Sequence, residues 1–419
     1  MKRSSPRPPA PSLRNIASVA ILAATLSASH AADWQHFRPT DWPHFRGTTM
    51  DGTTTETLPV EKGSLRELWK TNVGTGSSGA VIAGPHAFTL GNRNGRDTVL
   101  CIDARSGRVL WQHEYTAPLD KRMFEGGPAA TPTVDGSRLY TLGHQGELHC
   151  LDATSGKLLW QHHLQRDFGG IRPQWGYSGS PTVEGQTLLL DVGGKASSTV
   201  ALDKTTGKLL WQSGSDEAGY ASPLVATLEG KRTLLVFKAR ALVGLDPASG
   251  SERFRIPWKT SYDVNSATPL VFGNHVFLSS GYGNGCALFE AKEGRLVERW
   301  HNKNLRAHVT SPVHWNGRIF GIDGQAEPRA PLVCLDAATG ALLWSQKNIS
   351  GSVIVAAGKL IVLSERGELL VAPADGDSFR PSLRQQILGG RSWVQPSLAN
   401  GCLLLRNNQG DLVALDTAP

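Results

Sequence analysis

The sequence predicts an all-β protein, an eight-bladed β-propeller of four-stranded antiparallel blades. One unit recurs eight times along the chain, with equivalent positions 36 to 51 residues apart. Four-stranded units at this period are typical of propeller blades. The chain also has 46 Gly among its 419 residues, above the usual share of about 7%, which indicates frequent turns. We therefore expect one closed repeat domain, although the length alone suggests two or three domains.

Each unit has the chemistry of a strand, a tight turn and a second strand. In residues 101–111, Asp103 can cap free N–H groups of the turn, Gly107 four residues later supplies a positive φ, and Trp111 packs on the next strand. Clear copies lie at 150–160, 201–211 and 334–344, and weaker ones at 244–254, 288–300, 370–376 and 414–416. We assign a structural, tryptophan-docking role to Trp69, Asp103, Gly107, Trp111, Asp152, Gly156, Trp160, Asp203, Gly207, Trp211, Trp300, Asp336, Gly340 and Trp344.

An inner strand precedes each copy. It opens near a Ser-Pro or Thr-Pro pair in most units and ends in a hairpin signal such as Asp135-Gly136 or Asn400-Gly401. The last unit lacks its outermost strand, and the segment 65–69 has the sequence expected of it, including the Trp. We predict that the N-terminal and C-terminal strands pair and close the ring, which removes exposed edges.

The N-terminus has the features of a secretory signal. Four basic residues precede an apolar run at 16–26, and small residues stand at Ser29 and Ala31. We predict a signal peptide at 1–31 with cleavage near Ala31, an N-terminal extension at 32–59 and a single propeller domain at 60–419. The expected location is periplasmic or secreted, without a membrane span, because no later apolar run approaches 18 residues.

Charge and composition argue against several functions. The signal carries four of the 43 basic residues and none of the 36 acidic ones, so the mature chain is nearly neutral and nucleic-acid binding is not expected. The 13 His and 5 Cys residues form no zinc motif. We predict no metal site and no catalytic residue, and we interpret the cysteines as free buried thiols.

The pattern Ala-x-Asp-x-x-x-Gly-x-x-x-Trp resembles the tryptophan-docking repeat of the PQQ-like, quinoprotein-type eight-bladed propellers, across residues 60–419. This superfamily includes the pyrroloquinoline quinone (PQQ) dehydrogenases and the outer-membrane-protein assembly factor. The segments 42–47, 175–178 and 280–283 resemble a bacterial subgroup described only as quinone-binding-like repeat proteins.

The loops that lead from each outer strand to the next inner strand vary in length, and insertions in repeat proteins often gather on the binding face. These loops are expected at the mouth of the central channel. They combine aromatic and polar groups suited to a flat ligand, a sugar or an extended peptide. The candidate ligand-binding residues are Arg172, Trp175, Tyr177, Tyr220, Asp263, Asn265, His308, Arg391 and Trp393.

The resemblance leaves three functions open. The first is a non-enzymatic binding or scaffold protein of the bacterial cell envelope, with an envelope protein or a small molecule as its partner. The second is a PQQ- and calcium-dependent alcohol or sugar dehydrogenase, although the adjacent cysteines found under the cofactor in many such enzymes are missing from this sequence. The third is a carbohydrate-binding propeller. We favour the first, as a monomer, and assign no cofactor.

Overall fold

A computed structural model of the chain describes residues 41–120, 124–324 and 329–418, together with Met1. The rest of the signal peptide predicted at 1–31 lies outside the described residues. Among the residues described, no helix is long and apolar enough to cross a membrane.

The prediction of an eight-bladed propeller is confirmed, because the described strands form eight sheets with four antiparallel strands each, and a short fifth strand, Thr53–Thr54, joins one of these sheets in parallel. Blades one to four contain the following strands in chain order: Val81–Ala83, His86–Arg93, Arg96–Asp103 and Val109–Thr116; Thr133–Asp135, Arg138–Leu142, Glu147–Asp152 and Leu158–His163; Thr182–Glu184, Thr187–Asp191, Thr199–Asp203 and Leu209–Ser213; Leu224–Leu228, Lys231–Phe237, Ala241–Leu245 and Glu252–Pro257. A short helix at Leu164–Phe168 follows blade two.

Blades five to eight follow the same order. Their strands are Leu270–Phe272, His275–Ser280, Gly285–Lys292 and Arg295–Asn302; Val313–Trp315, Arg318–Ile322, Leu332–Asp336 and Leu342–Gln346; Gly351–Ala356, Lys359–Ser364, Glu368–Pro373 and Leu383–Gln386; Ser397–Ala399, Cys402–Arg406 and Asp411–Asp416, with Glu67–Asn72 as the outer strand of blade eight. A 3-10 turn at Val60–Lys62 precedes that outer strand.

The two ends of the chain close the ring as predicted. Strand Glu67–Asn72 pairs antiparallel with Asp411–Asp416, and Trp69 stands opposite Ala414. The strand before the first blade therefore completes the last one, so that the ring is held by hydrogen bonds between the two ends of the propeller.

The repeated turn explains how neighbouring blades meet. In blade one, Asp103 Oδ1 accepts hydrogen bonds from the backbone N–H and the hydroxyl of Ser106, at 2.8 and 2.7 Å, and Gly107 has a φ of 73°. The indole of Trp69, from blade eight, lies against Gly107 and donates to the carbonyl of Ala104 at 2.9 Å. Equivalent indole bonds reach the next blade from Trp111, Trp160, Trp211, Trp300 and Trp344.

The Ser-Pro and Thr-Pro pairs join the inner strands. The backbone N–H of each donates to the hydroxyl of its counterpart in the next blade: Thr131 to Ser180 at 2.9 Å, Ser180 to Ser222 at 2.9 Å and Ser222 to Thr268 at 3.3 Å. Two further bonds of this kind run from Gly79 to Thr131 and from Thr268 to Ser311, each at 3.0 Å. The hydroxyl column thus follows the inner edge of the ring.

The apolar core lies between adjacent blades, in clusters of aliphatic side chains from their facing sheets. The five cysteines are free and buried there, as expected. Burial raises the pKa of each thiol to about 12, with Cys150 as one example, so these groups act as small hydrophobic side chains.

Residues 41–56 enter the central channel, and we call this segment the plug. Trp42 exchanges two backbone hydrogen bonds of 2.8 Å with Ile82 of blade one. Thr53 and Thr54 pair in parallel with the inner strand of blade seven. Asp41 accepts a bond of 2.7 Å from Asn400, in a hairpin of blade eight. The hairpins that follow the inner strands lie at the end of the ring opposite the mouth, so the plug closes the channel at that end.

Candidate functional site: a blind cavity at the channel mouth

The central channel holds a cavity of about 350 Å³ between the mouth loops and the plug. The size lies in the usual range of small-ligand pockets, about 300–1,000 Å³. Its described lining comes from the plug, from the segments that lead into the inner strands, and from turns of blades five and eight. Since the plug supplies Trp42, Phe45 and Arg46, the cavity has a floor and one open end.

Aromatic rings surround the cavity. Trp175 and Tyr220 have ring centroids 6.0 Å apart. Across the mouth, Trp393 meets Phe124 edge-to-face at 4.7 Å. Tyr282 also lines the cavity. We call Trp175, Tyr220, Tyr282 and Trp393 the aromatic collar; its half-buried planes offer apolar contact area to a ligand.

Hydroxyl groups line the cavity below the collar. Five of them belong to the column that joins the inner strands, and each accepts a backbone N–H from the preceding blade. A hydroxyl has one donor and two acceptor positions, so each retains its O–H for another partner. We call these residues the hydroxyl ring: Thr131, Ser180, Ser222, Thr268 and Ser311.

Arg46 is the cation of the cavity floor, and it is 1% exposed. Its Nε donates to the carbonyl of Met50 at 3.1 Å, and its Nη2 donates to the carbonyls of Asp51 and Pro312, each at 2.6 Å. Nη1 has no hydrogen-bond partner in the part of the chain that the structure describes. Burial lowers the pKa of this guanidinium to about 10, which still leaves it charged at neutral pH.

His308 also lines the cavity, and it meets Tyr282 edge-to-face with ring centroids 5.0 Å apart. Burial lowers the pKa of its imidazole to about 4, so the ring is neutral at pH 7. Its Nδ1 is buried and has no hydrogen-bond partner within residues 41–120, 124–324 and 329–418. The ring therefore lacks the second partner that orients a catalytic histidine.

At the rim Arg391 pairs with two carboxylates, Glu125 at 2.8 Å and Glu365 at 3.5 Å. Glu125 accepts hydrogen bonds from Arg391 at 2.8 Å, Asn408 at 3.2 Å and Gln409 at 3.3 Å. The Arg391 guanidinium also lies 4.8 Å above the ring of Trp393, a cation–π contact. The carboxylate of Glu125 is thus paired at the rim.

The nine residues proposed from the sequence divide into two groups. Trp175, Tyr220, His308 and Trp393 line the cavity, with Arg391 beside them on the rim. The other four do not line it and have structural partners elsewhere.

Arg172 forms an ion pair with Asp120 at 3.1 Å. Tyr177 is buried in the core and donates its hydroxyl to the carbonyl of Val192 at 3.0 Å. The other two residues belong to the loop before blade five. Asp263 pairs with Arg240 at 2.7 Å, and buried Asn265 donates to three backbone carbonyls.

Sequence reasoning missed the floor and part of the collar. Trp42, Phe45 and Arg46 precede the repeats, so the repeat period could not predict their position in the fold. Tyr282 lies in a turn within blade five, whereas the candidate residues were predicted in the loops between blades. The segments 42–47 and 280–283 were nevertheless noted for their resemblance to a bacterial subgroup, which was the one signal available.

Comparison with known proteins places this fold in context. The family model described as outer membrane protein assembly factor BamB matches residues 95–330 and 324–418. No curated protein sequence matches the chain significantly.

Among solved structures, BamB from Moraxella catarrhalis has a TM-score of 0.64 at 16% identity, over 84% of this chain and 100% of that chain. Quinohemoprotein alcohol dehydrogenase from Comamonas testosteroni has a TM-score of 0.65 at 12% identity, over 93% of this chain and 84% of that one. At these identities the likeness concerns the fold. Since the family model matches well over half of the sequence, the chain belongs to the PQQ-like propeller family described as outer membrane protein assembly factor BamB.

Proposed function

We propose that this protein is an exported, non-enzymatic binding protein of the bacterial cell envelope that acts as a scaffold for protein–protein interaction. The observation that carries the proposal is the blind cavity, whose polar groups are arranged for holding a ligand and not for reacting with it. The family match to an assembly factor supports a protein partner.

The cavity chemistry supports binding over catalysis. A serine or threonine nucleophile needs a base within about 2.6–3.2 Å. Each member of the hydroxyl ring is bonded to a backbone N–H, and among the described residues none of them is bonded to a histidine. In His308, the imidazole of the described lining, Nδ1 has no carboxylate partner among those residues.

A PQQ- and calcium-dependent dehydrogenase is the second candidate, because the fold is shared with quinohemoprotein alcohol dehydrogenase. Calcium takes six to eight oxygen ligands, commonly several carboxylates. Of the described lining residues, only Glu125 carries a carboxylate, and it is already bonded to Arg391. The described residues therefore do not fit a calcium site in this cavity, and we rank the dehydrogenase below the scaffold.

A carbohydrate-binding propeller is the third candidate. The aromatic collar favours it, since flat rings stack on the apolar faces of sugars. The cationic floor at Arg46 does not add to the recognition of a neutral sugar, so this candidate also ranks below the scaffold.

Site-specific photocrosslinking tests the scaffold function. A photoreactive amino acid replaces Val309, which lines the cavity and is 37% exposed, and in a control it replaces Leu210, which is 52% exposed on the outer strand of blade three. We expect a discrete polypeptide adduct in envelope extracts from position 309 and none from position 210. Equal labelling from both positions, or none from either, contradicts the scaffold.

The dehydrogenase has its own test. The purified protein is titrated with PQQ and Ca²⁺, and dye reduction is measured with alcohols and sugars. We expect no turnover. Turnover that is lost in the Trp393→Ala variant would refute the scaffold proposal and show that the protein is a dehydrogenase.

A further inference from the structure

We propose that the blind cavity receives the C-terminal residue of a partner polypeptide, with the carboxylate toward the hydroxyl ring and Arg46 and the side chain among the aromatic collar. This inference rests on the proposed scaffold function and names the part of the partner that is recognised.

The closed floor restricts how a polypeptide can enter. The plug is bonded to the inner strands of blades one and seven and to a hairpin of blade eight. Trp42 is 2% exposed at this floor. A chain cannot thread through the channel past these residues. A polypeptide therefore reaches the cavity only from the mouth, and a chain end can fill such a closed cavity without turning back on itself, as a loop must.

The hydroxyl ring offers unused hydrogen-bond donors to a ligand. In every member of the ring the oxygen accepts one backbone N–H, and the O–H donates to no group among the described residues. Each hydroxyl can therefore donate to a ligand in the cavity while it keeps one acceptor position, and Gln395 Oε1 is a further buried acceptor of the lining without a partner among those residues. The complementary ligand group is rich in acceptors, and a carboxylate offers two oxygens with about four lone-pair positions.

The charge of the floor selects an anion. Among the described residues Arg46 bonds only to carbonyl groups, and its Nη1 has no partner there. The charge of the Asp51 carboxylate raises the pKa of Arg46. Asp51 Oδ1, however, accepts hydrogen bonds from the hydroxyls of Thr49 and Thr53, at 2.7 and 2.8 Å, and not from Arg46. A buried cation without a paired anion is costly. A carboxylate in the cavity would lower that cost, whereas an N-terminal ammonium would increase it.

The remaining charges near the cavity do not reverse this selection. Arg391 pairs with both Glu125 and Glu365, so the negative charge left over lies at the rim, whereas Arg46 lies on the floor. His308 is neutral at pH 7 because burial lowers its pKa to about 4. Above the donors, the collar supplies apolar surface on several sides. The cavity thus matches a terminal carboxylate attached to an apolar or aromatic side chain.

Fluorescence anisotropy with short peptides tests the proposal. The probe is fluorescein-Gly-Ser-Gly-Ser-Phe with a free carboxylate, and the matched probe has the same sequence with a C-terminal amide. We expect the acid to bind about 10- to 100-fold more tightly, the range for loss of a charged hydrogen-bond partner. Equal binding of acid and amide would overturn the proposal with the wild-type protein alone.

Two variants locate the charge that is responsible. Arg46→Gln removes the floor cation and should reduce the preference for acid over amide to less than about threefold. Arg240→Gln is the control, because Arg240 is exposed, pairs with Asp263 and does not line the cavity. Its preference should equal that of the wild type. An unchanged preference in a folded Arg46→Gln protein, checked by circular dichroism, contradicts the assignment.

Free 3-phenylpropionate serves as the small-molecule arm. Competition by this acid together with peptide binding supports the shared carboxylate chemistry. Binding of the free acid without binding of the peptide overturns the polypeptide assignment. If neither probe binds but crosslinks from position 309 persist, this inference is wrong while the scaffold function stands.

Discussion

The contact between Trp69 and Gly107 joins blade eight to blade one, and a double-mutant cycle measures its contribution to ring closure. A Cβ atom added at Gly107 would lie 2.6 Å from Trp69 Cγ, at a residue with φ of 73°. Gly107→Ala should therefore cost about 2–4 kcal/mol, from left-handed strain of about 1–2 kcal/mol and from overpacking. Trp69→Ala should cost about 3–5 kcal/mol, because the indole is 8% exposed and donates to the carbonyl of Ala104.

The cycle separates strain from contact. Once the indole is removed, Gly107→Ala should cost only the backbone strain, so the coupling free energy should be about 1–3 kcal/mol. Urea unfolding followed by far-UV circular dichroism gives the four free energies, and Leu210→Ala on an exposed outer strand should change stability by less than about 0.5 kcal/mol. If Gly107→Ala costs the same with and without Trp69, the reasoning about this contact is wrong.

Three further predictions concern buried charges. Arg406 is 1% exposed and donates to four oxygen atoms of blade one and the segment before it. Arg406→Met should lower the free energy of unfolding in urea by about 3 kcal/mol or more. A smaller decrease would show that these acceptors find other donors. Lys238 bonds to Asp191 at 2.6 Å in the core. Lys238→Met should lower the free energy of unfolding by about 3–5 kcal/mol, because it leaves a buried carboxylate unpaired, and the added change Asp191→Leu should restore part of that stability. If the double variant is no more stable than Lys238→Met, the unpaired carboxylate is not the cause. Burial lowers the pKa of His149 to about 4, below its unfolded value of about 6.5, so the unfolded chain takes up the proton first and stability is lost as pH falls from 6.5 to 4. His149→Gln should lose up to about 3 kcal/mol less than the wild type over this range, and parallel pH profiles would refute the assignment.

The repeat made the fold predictable. The turn at Asp103 and Gly107 depends on residues four positions apart, and its hydrogen bonds lie within the same few residues. Such local chemistry is visible in the sequence, and eight copies of it indicate the ring. The missing outer strand of the last unit was also visible, since the segment 65–69 resembles the other copies, and Trp69 does stand opposite Ala414.

The candidate site was predictable only in part. Trp175 and Trp393 were proposed from loop position and line the cavity, yet Tyr177, two residues from Trp175, is buried in the core. The backbone path of an irregular loop decides which of its side chains face the channel. The repeat period of the sequence does not predict that path. Asn265 illustrates the same limit, because its amide donates to the backbone carbonyls of Lys238, in a turn within blade four, and of Trp258, just after that blade.

The sequence by itself determined the number of blades, the chemistry of their turns and the pairing of the chain ends, because these depend on short repeated motifs. Only the tertiary structure decided that residues 41–56 enter the channel and that Arg46 forms the floor of a cavity ringed by hydroxyl groups. The plug precedes the repeats and bonds to blades far away in the chain, such as Pro312 in blade six. Contacts of that range follow from the closed ring, and the ring exists only once all eight blades have come together.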